Sequence, residues 1–109
     1  FEFGNCYHYH AENKSESNSL SAYSEEMHLG LWITGKRVEG SWAHPDEKST
    51  VFELKANLLN LFKRLGLDAH ALNQEEGSSD LFSRSERMLK GSKVIAEYGV
   101  VRRTLLKRF

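Results

Sequence analysis

The chain has 109 residues, of which 39% are hydrophobic and 28% charged, the composition of an ordinary globular domain with one modest core. This mixture excludes a disordered or fibrous protein, and no apolar run approaches the roughly 20 residues needed to cross a bilayer, so we expect no membrane partner. The single cysteine excludes an internal disulfide and favours a reducing compartment, most simply the cytoplasm.

The formal net charge is zero, but the charge is unevenly distributed along the chain. Residues 1–27 carry a net −4 and residues 28–83 a net −2, whereas residues 84–109 carry eight basic and two acidic residues, a net +6. Phosphate contact by this basic quarter is one interpretation, with Arg102, Arg103, Lys107 and Arg108 as the candidate nucleic-acid residues. The alternative is a solvated basic face that the dipole of a terminal helix favours.

The first third of the chain predicts two strands joined by a polar loop. Residues 1–9 alternate aromatic with small or polar side chains, the pattern of a half-buried strand. Residues 10–24 include a run without apolar residues and predict a functional or mobile loop. Met27–Gly35 predicts the second strand. Because a strand begins at Phe1 without an initiator Met, we interpret the chain as a piece of a larger protein.

The strongest helix signal follows an irregular connection around Pro45. Thr50 and Glu53 fit a capping box, in which each side chain satisfies an amide of the first turn. Gly66 is a natural residue to end the helix. The apolar residues that recur at helical spacing, and should pack on the sheet, are Val51, Leu54, Leu58, Leu61, Phe62 and Leu65.

The last third predicts mainly extended structure. Residues 67–72 suggest a strand and residues 73–80 a polar loop. Residues 84–90 and 93–100 then form a hairpin around Gly91-Ser92, and a terminal helix places Val101, Leu105 and Phe109 on one face. This element order predicts a single α+β domain over residues 1–109, with an antiparallel β-sheet flanked by helices.

Few residues form patterns typical of a catalytic or metal site. Cys6, His8 and His10 alternate, so they would share one strand face as candidate metal ligands, or simply decorate its polar side. Neighbours at that spacing lie about 6.5 Å apart, which is too far for a Cys–His nucleophile pair. No glycine-rich phosphate loop is present, and the remaining histidines, His28, His44 and His70, are scattered.

Two tryptophans are candidate anchors for a partner. Trp32 lies on the second face of its predicted strand, which suggests that this face is covered by a helix or a partner. Trp42 lies in an irregular loop, where it either anchors a neighbour or covers the core.

Several stretches in order resemble the β subunit of bacterial phenylalanyl-tRNA synthetases. They are Phe1-Glu2-Phe3-Gly4, His28–Gly35, Trp42 followed by Val51–Lys55, and Val94–Val101. Each motif alone is weak, but together they span nearly the whole chain. The resemblance implies the second half of that family's class II synthetase-like core, which is an antiparallel sheet flanked by helices.

The resemblance also implies that this chain holds no catalytic residue and binds no cofactor. Class II enzymes hold ATP with an arginine on the strand that Phe1–Asn5 resembles, and no arginine stands there. Gly99–Arg102 matches only part of the family's third motif. The implied role is structural, in a phenylalanine–tRNA ligase that uses ATP and Mg²⁺ to charge its tRNA, with an α subunit as partner in an (αβ)₂ assembly.

Overall fold

The computed structural model describes residues 1–18 and 20–108. Contacts within the chain define two compact units, Phe1–Trp32 and Ile33–Phe109, and each is described by itself. The single domain over residues 1–109 stays a prediction.

The first unit is a β-hairpin. Strand β1 (Glu2–Tyr9) pairs with the antiparallel strand β2 (Tyr23–Gly30) in unbroken register. The prediction placed the second strand over Met27–Gly35, which is four residues too late. Glu2 is already opposite Gly30, so β1 has almost no chain left to pair with the residues after Gly30.

The connection between these strands is held by hydrogen bonds. A short 3-10 helix occupies Ala11–Asn13, and the amide of His10 donates to the carbonyl of Ala22 at 2.7 Å. The Ser21 hydroxyl donates to the carbonyl of Asn13 at 2.6 Å, and Ala22 is buried. The loop predicted over residues 10–24 therefore exists, but its last two residues belong to β2. Ser19 lies outside the described residues.

In the second unit, helix α1 (Val51–Arg64) has the predicted bounds. Its end is a Schellman motif, because the Leu67 amide donates to the Phe62 carbonyl at 2.9 Å while Gly66 has a φ of 73°. The predicted capping box at the start of α1 does not form, because the Thr50 side chain makes no capping hydrogen bond. One carboxylate oxygen of Glu53 is buried without a hydrogen-bond partner among the described residues. Leu65 is exposed because it is the C-cap and leaves the helical face.

Five further strands form two sheets in this unit. Strands β3 (Lys36–Val38) and β4 (Glu47–Lys48) form a small antiparallel pair. The other sheet has the order β5-β6-β7, with β5 (Asn73–Glu76), β6 (Phe82–Lys90) and β7 (Lys93–Val101) all antiparallel. The hairpin around Gly91 is confirmed, and Gly91 has the positive φ of 63° that its turn requires.

Two predictions for this unit were wrong, and the terminal helix was confirmed only in part. Residues 67–72 contain a 3-10 helix (Ala69–Ala71), and the polar residues 73–76 form the strand instead. Strand β5 is an edge strand that pairs only with β6, so its exposed polar side chains need no core. The terminal helix α2 (Arg103–Leu106) has only four residues, Val101 still belongs to β7, and Phe109 lies outside the described residues.

The core of the second unit lies between α1 and the three-stranded sheet. Its buried members are Leu58, Phe62, Leu72, Met88 and Tyr98. The mixed α and β content and the antiparallel pairing are therefore confirmed, but the described strands form three small sheets and not one. None of the helices in the described residues has the length and apolar character needed to span a membrane.

Candidate functional site

Two imidazoles and a carboxylate meet on one face of the hairpin. His8 of β1 and Glu26 and His28 of β2 each offer a ligand atom, and these atoms lie within 4.8 Å of one another. Nε2 of His28 is 3.3 Å from a carboxylate oxygen of Glu26, and the two imidazole centroids are 6.3 Å apart. All three side chains are exposed.

The strand register explains this cluster. His8 is paired with Ser24 and His28 with Gly4, so the two histidines flank the Cys6–Glu26 pair on the same face. Their side chains lean toward each other over that pair, since paired positions four residues apart would otherwise be about 13 Å apart.

Only His8 of the three predicted metal ligands belongs to this cluster. Cys6 is an exposed free cysteine on the same face of the hairpin. Its thiol does not belong to the cluster of His8, Glu26 and His28. His10 lies 3.0 Å from the Ser24 hydroxyl and 3.6 Å from the Glu12 carboxylate. Glu26 and His28 were both missed from the sequence. Pairing the two strands in register would have placed them on the same face as His8, but the approach of the two imidazoles depends on side-chain orientation. The metal site predicted at Cys6, His8 and His10 therefore stays a prediction.

The opposite face of the hairpin is exposed and mostly apolar, with Asn5 and Glu25 hydrogen-bonded to each other at its centre. Its six large side chains, here called the apolar hairpin face, are between 43% and 69% exposed: Phe3, Tyr7, Tyr9, Tyr23, Met27 and Leu29. The rings of Tyr9 and Tyr23 lie 5.2 Å apart, and the Tyr7 hydroxyl donates to the Glu25 carboxylate at 3.3 Å. Within its own unit this face is left open to solvent.

The two predicted anchor tryptophans are both exposed. The Trp32 indole lies over Gly30, where a Cβ would overlap it. Trp42 is fully exposed in a turn that paired hydrogen bonds between Ser41 and His44 close. Of the two interpretations of Trp42, the lid on the core is therefore excluded, and the anchor for a neighbour stays a prediction.

A polar network joins α1 to the sheet. Nζ of Lys55 lies 3.0 Å from a carboxylate oxygen of Glu86 and 3.1 Å from the side-chain oxygen of Gln74. The Tyr98 hydroxyl donates to the same Glu86 carboxylate. Lys55, Glu86 and Tyr98 line a cavity of about 210 Å³ together with Val51 and Phe52.

The electrostatics of this network favour a structural role. Burial, and then the bond to Glu86, raises the pKa of Tyr98 above its ordinary value. The bonds from Tyr98 and then Lys55 lower the pKa of Glu86, while the Tyr98 oxygen and then Glu86 raise the pKa of Lys55. At neutral pH the Tyr98 hydroxyl therefore stays protonated and the Lys55–Glu86 ion pair stays charged, an arrangement that holds the helix to the sheet.

The four basic residues predicted to contact nucleic acid differ in whether they bond to other residues of the chain. Nε of Arg102 donates to the Phe82 carbonyl at 2.6 Å, and its guanidinium lies 3.6 Å from the Asp80 carboxylate, so this side chain helps to hold the start of β6. The other three are exposed and form no salt bridge with an acidic side chain in the described part of the chain: Arg103, Lys107 and Arg108.

Comparison with known proteins confirms the resemblance noted in the sequence. Residues 1–109 match the family described as the phenylalanyl tRNA synthetase beta chain CLM domain. Proteins named phenylalanine–tRNA ligase beta subunit are 53% identical in Bacteroides fragilis, 52% in Bacteroides thetaiotaomicron and 40% in Porphyromonas gingivalis, each over 110 residues. These alignments cover 100% of this chain but 13% of each relative, so the chain spans about an eighth of their length. The chain therefore belongs to the family of phenylalanyl-tRNA synthetase β chain CLM domains.

Proposed function

We propose that this chain is a non-catalytic structural domain of a phenylalanine–tRNA ligase β subunit, and that it docks against other parts of that enzyme through the apolar hairpin face. The parent enzyme would attach phenylalanine to its tRNA with ATP and Mg²⁺. Family membership supports the identity of the parent, and the open apolar face is the observation that carries the docking role.

The argument for docking is energetic. A two-stranded hairpin is marginally stable in water by itself, so β1 and β2 need further burial. Fully burying one large apolar side chain contributes about 1.5–3 kcal/mol relative to full exposure. The six side chains of the apolar hairpin face are 43–69% exposed, so docking would gain part of that contribution for each. Exposed apolar clusters of this kind are typical of interaction sites.

The proposal includes the class II synthetase-like core, the (αβ)₂ assembly and a cytoplasmic location. An arginine that could hold ATP is missing from Phe1–Asn5, which supports a silent domain. The exposed thiol of Cys6 suits a reducing compartment. Trp32 and Trp42 are the further side chains that we propose as anchors, because both indoles are exposed.

The docking role is tested in the complete β subunit, co-expressed with the α subunit. The double variant Tyr7→Ser, Met27→Ser removes two side chains from the apolar hairpin face and should lower the yield of αβ complex and its aminoacylation activity. Glu2→Ser, on the other face of the same hairpin, is the control. Wild-type assembly by the double variant would contradict docking through this face.

The absence of catalysis has a separate test. The isolated chain should show no phenylalanine-dependent exchange of pyrophosphate into ATP. Measurable exchange would refute a non-catalytic domain, whatever the result for docking.

A second candidate function is contact with the tRNA backbone by the basic chain end. It is favoured by the exposed side chains of Arg103, Lys107 and Arg108, with Arg102 contributing charge. Replacing the three exposed residues by Gln should weaken tRNA binding and make it less dependent on salt. Lys63→Gln with Arg64→Gln, in the exposed last turn of α1, is the matched control. Unchanged binding would exclude this contact.

A further inference from the structure

The cluster on the polar hairpin face has the donor set of a transition-metal site. Imidazole nitrogens and a carboxylate oxygen are ligands that Zn²⁺ accepts, whereas Mg²⁺ prefers oxygen ligands and retains its waters. His8 and His28 supply the two nitrogens and Glu26 the oxygen, all from paired strands of the hairpin.

The distances suit a shared ion. Ligand atoms bound to one tetrahedral Zn²⁺ at about 2.0–2.1 Å lie roughly 3.3 Å from one another. The separation of 3.3 Å between His28 and Glu26 already matches, and His8 lies within 4.8 Å of both. To bind the same ion, the His8 ring nitrogen would have to approach the other two ligand atoms, and the His8 side chain is exposed.

We propose that His8, Glu26 and His28 bind a divalent transition-metal ion of the Zn²⁺ class. One ligand comes from β1 and two come from β2, so the ion would cross-link the two strands of a hairpin that is marginal alone. Three protein ligands leave a position for water or for a group from a neighbouring part of the enzyme.

The first test is a calorimetric titration of the 109-residue chain with ZnCl₂. One equivalent should bind, MgCl₂ should not, and His8→Ala or His28→Ala should each weaken binding by about tenfold or more. His70→Ala is the control, because His70 is exposed and belongs to the second unit. The proposal would be overturned if the wild-type chain did not bind one equivalent of Zn²⁺. It would also be overturned if the His8→Ala, His28→Ala double variant bound Zn²⁺ as tightly as the wild type.

A second measurement needs no variant and so does not depend on the variants folding. In imidazole NMR spectra of the wild-type chain, added Zn²⁺ should shift the ring resonances of His8 and His28 and leave those of His44 and His70 in place. Shifts confined to other histidines would overturn the site. Neither result bears on whether the domain docks in a synthetase, which the assembly experiment tests separately.

Discussion

Tyr98 belongs both to the hydrophobic core and to the polar network between α1 and the sheet. Its ring packs in the core, and its hydroxyl donates a hydrogen bond to the Glu86 carboxylate. Lys55 approaches the same carboxylate and lies 5.7 Å from the centre of the Tyr98 ring. The network thus couples the position of α1 to the charge of one side chain. None of these contacts of Lys55 could be identified from the sequence, since residues 55, 86 and 98 meet only when the helix packs on the sheet.

Acid should weaken this network. The pKa of Glu86 is lowered in the folded chain, chiefly by Tyr98, so its contribution is present above the ordinary value of 4.5 and is lost as pH falls through the folded pKa. Between pH about 7 and about 3, wild type should therefore lose more unfolding free energy than Glu86→Gln. Because the Glu86 side chain is 51% exposed, we expect a difference below about 1 kcal/mol in urea titrations. Parallel pH profiles would contradict it.

Gly99 of β7 is a residue where packing forbids a side chain. A Cβ there would overlap the backbone carbonyl of Arg84 and the backbone of Ser85 on the paired strand. Gly99→Ala should therefore destabilise the sheet by about 1–3 kcal/mol, measured by urea denaturation. Gly4→Ala is the control, because a Cβ at Gly4 meets nothing within 4 Å. Equal stability of the two variants would refute this steric argument.

At the scale of the element, α1 shows which local signals were sufficient. Its apolar spacing and Gly66 predicted both ends correctly, because helix period and a left-handed stop are properties of neighbouring residues. The capping box failed in its details, since the Thr50 hydroxyl makes no bond to the first turn. Strand β5 was not predicted, because its polar residues do not alternate with apolar ones. These residues form a strand because they pair with β6.

The two ends of α1 should respond differently to substitution. Gly66→Ala should cost about 1 kcal/mol because Gly66 has a φ of 73°, a conformation that disfavours a Cβ. Thr50→Ala should cost much less than the ~1 kcal/mol typical of an N-cap, because no side-chain bond is lost. Thermal unfolding of both variants measures the contrast. A larger loss for Thr50→Ala would show that the hydroxyl does cap the helix in solution.

At the scale of the whole molecule, buried and exposed apolar side chains should have separate roles. Met88 is 1% exposed at the centre of the core, so Met88→Ala should lower the unfolding free energy by about 2–5 kcal/mol. Trp42 is fully exposed, so Trp42→Ala should leave the stability of the chain unchanged and weaken only assembly with the α subunit. Chemical denaturation and co-purification separate the two effects. A destabilising Trp42→Ala would contradict the anchor role.

Helix α1 and the β6–β7 hairpin could be predicted from the sequence, because helix period and turn chemistry depend on neighbouring residues, and the family could be predicted from the order of its motifs. Which distant residues are in contact could be seen only in the folded chain. Strand register placed His28 on the same hairpin face as His8, and side-chain orientation brought the two imidazoles together. Trp42 is fully exposed and does not cover the core. Strand pairing and side-chain burial bring together residues that are far apart in the chain. No pattern of neighbouring residues specifies which of these residues approach each other.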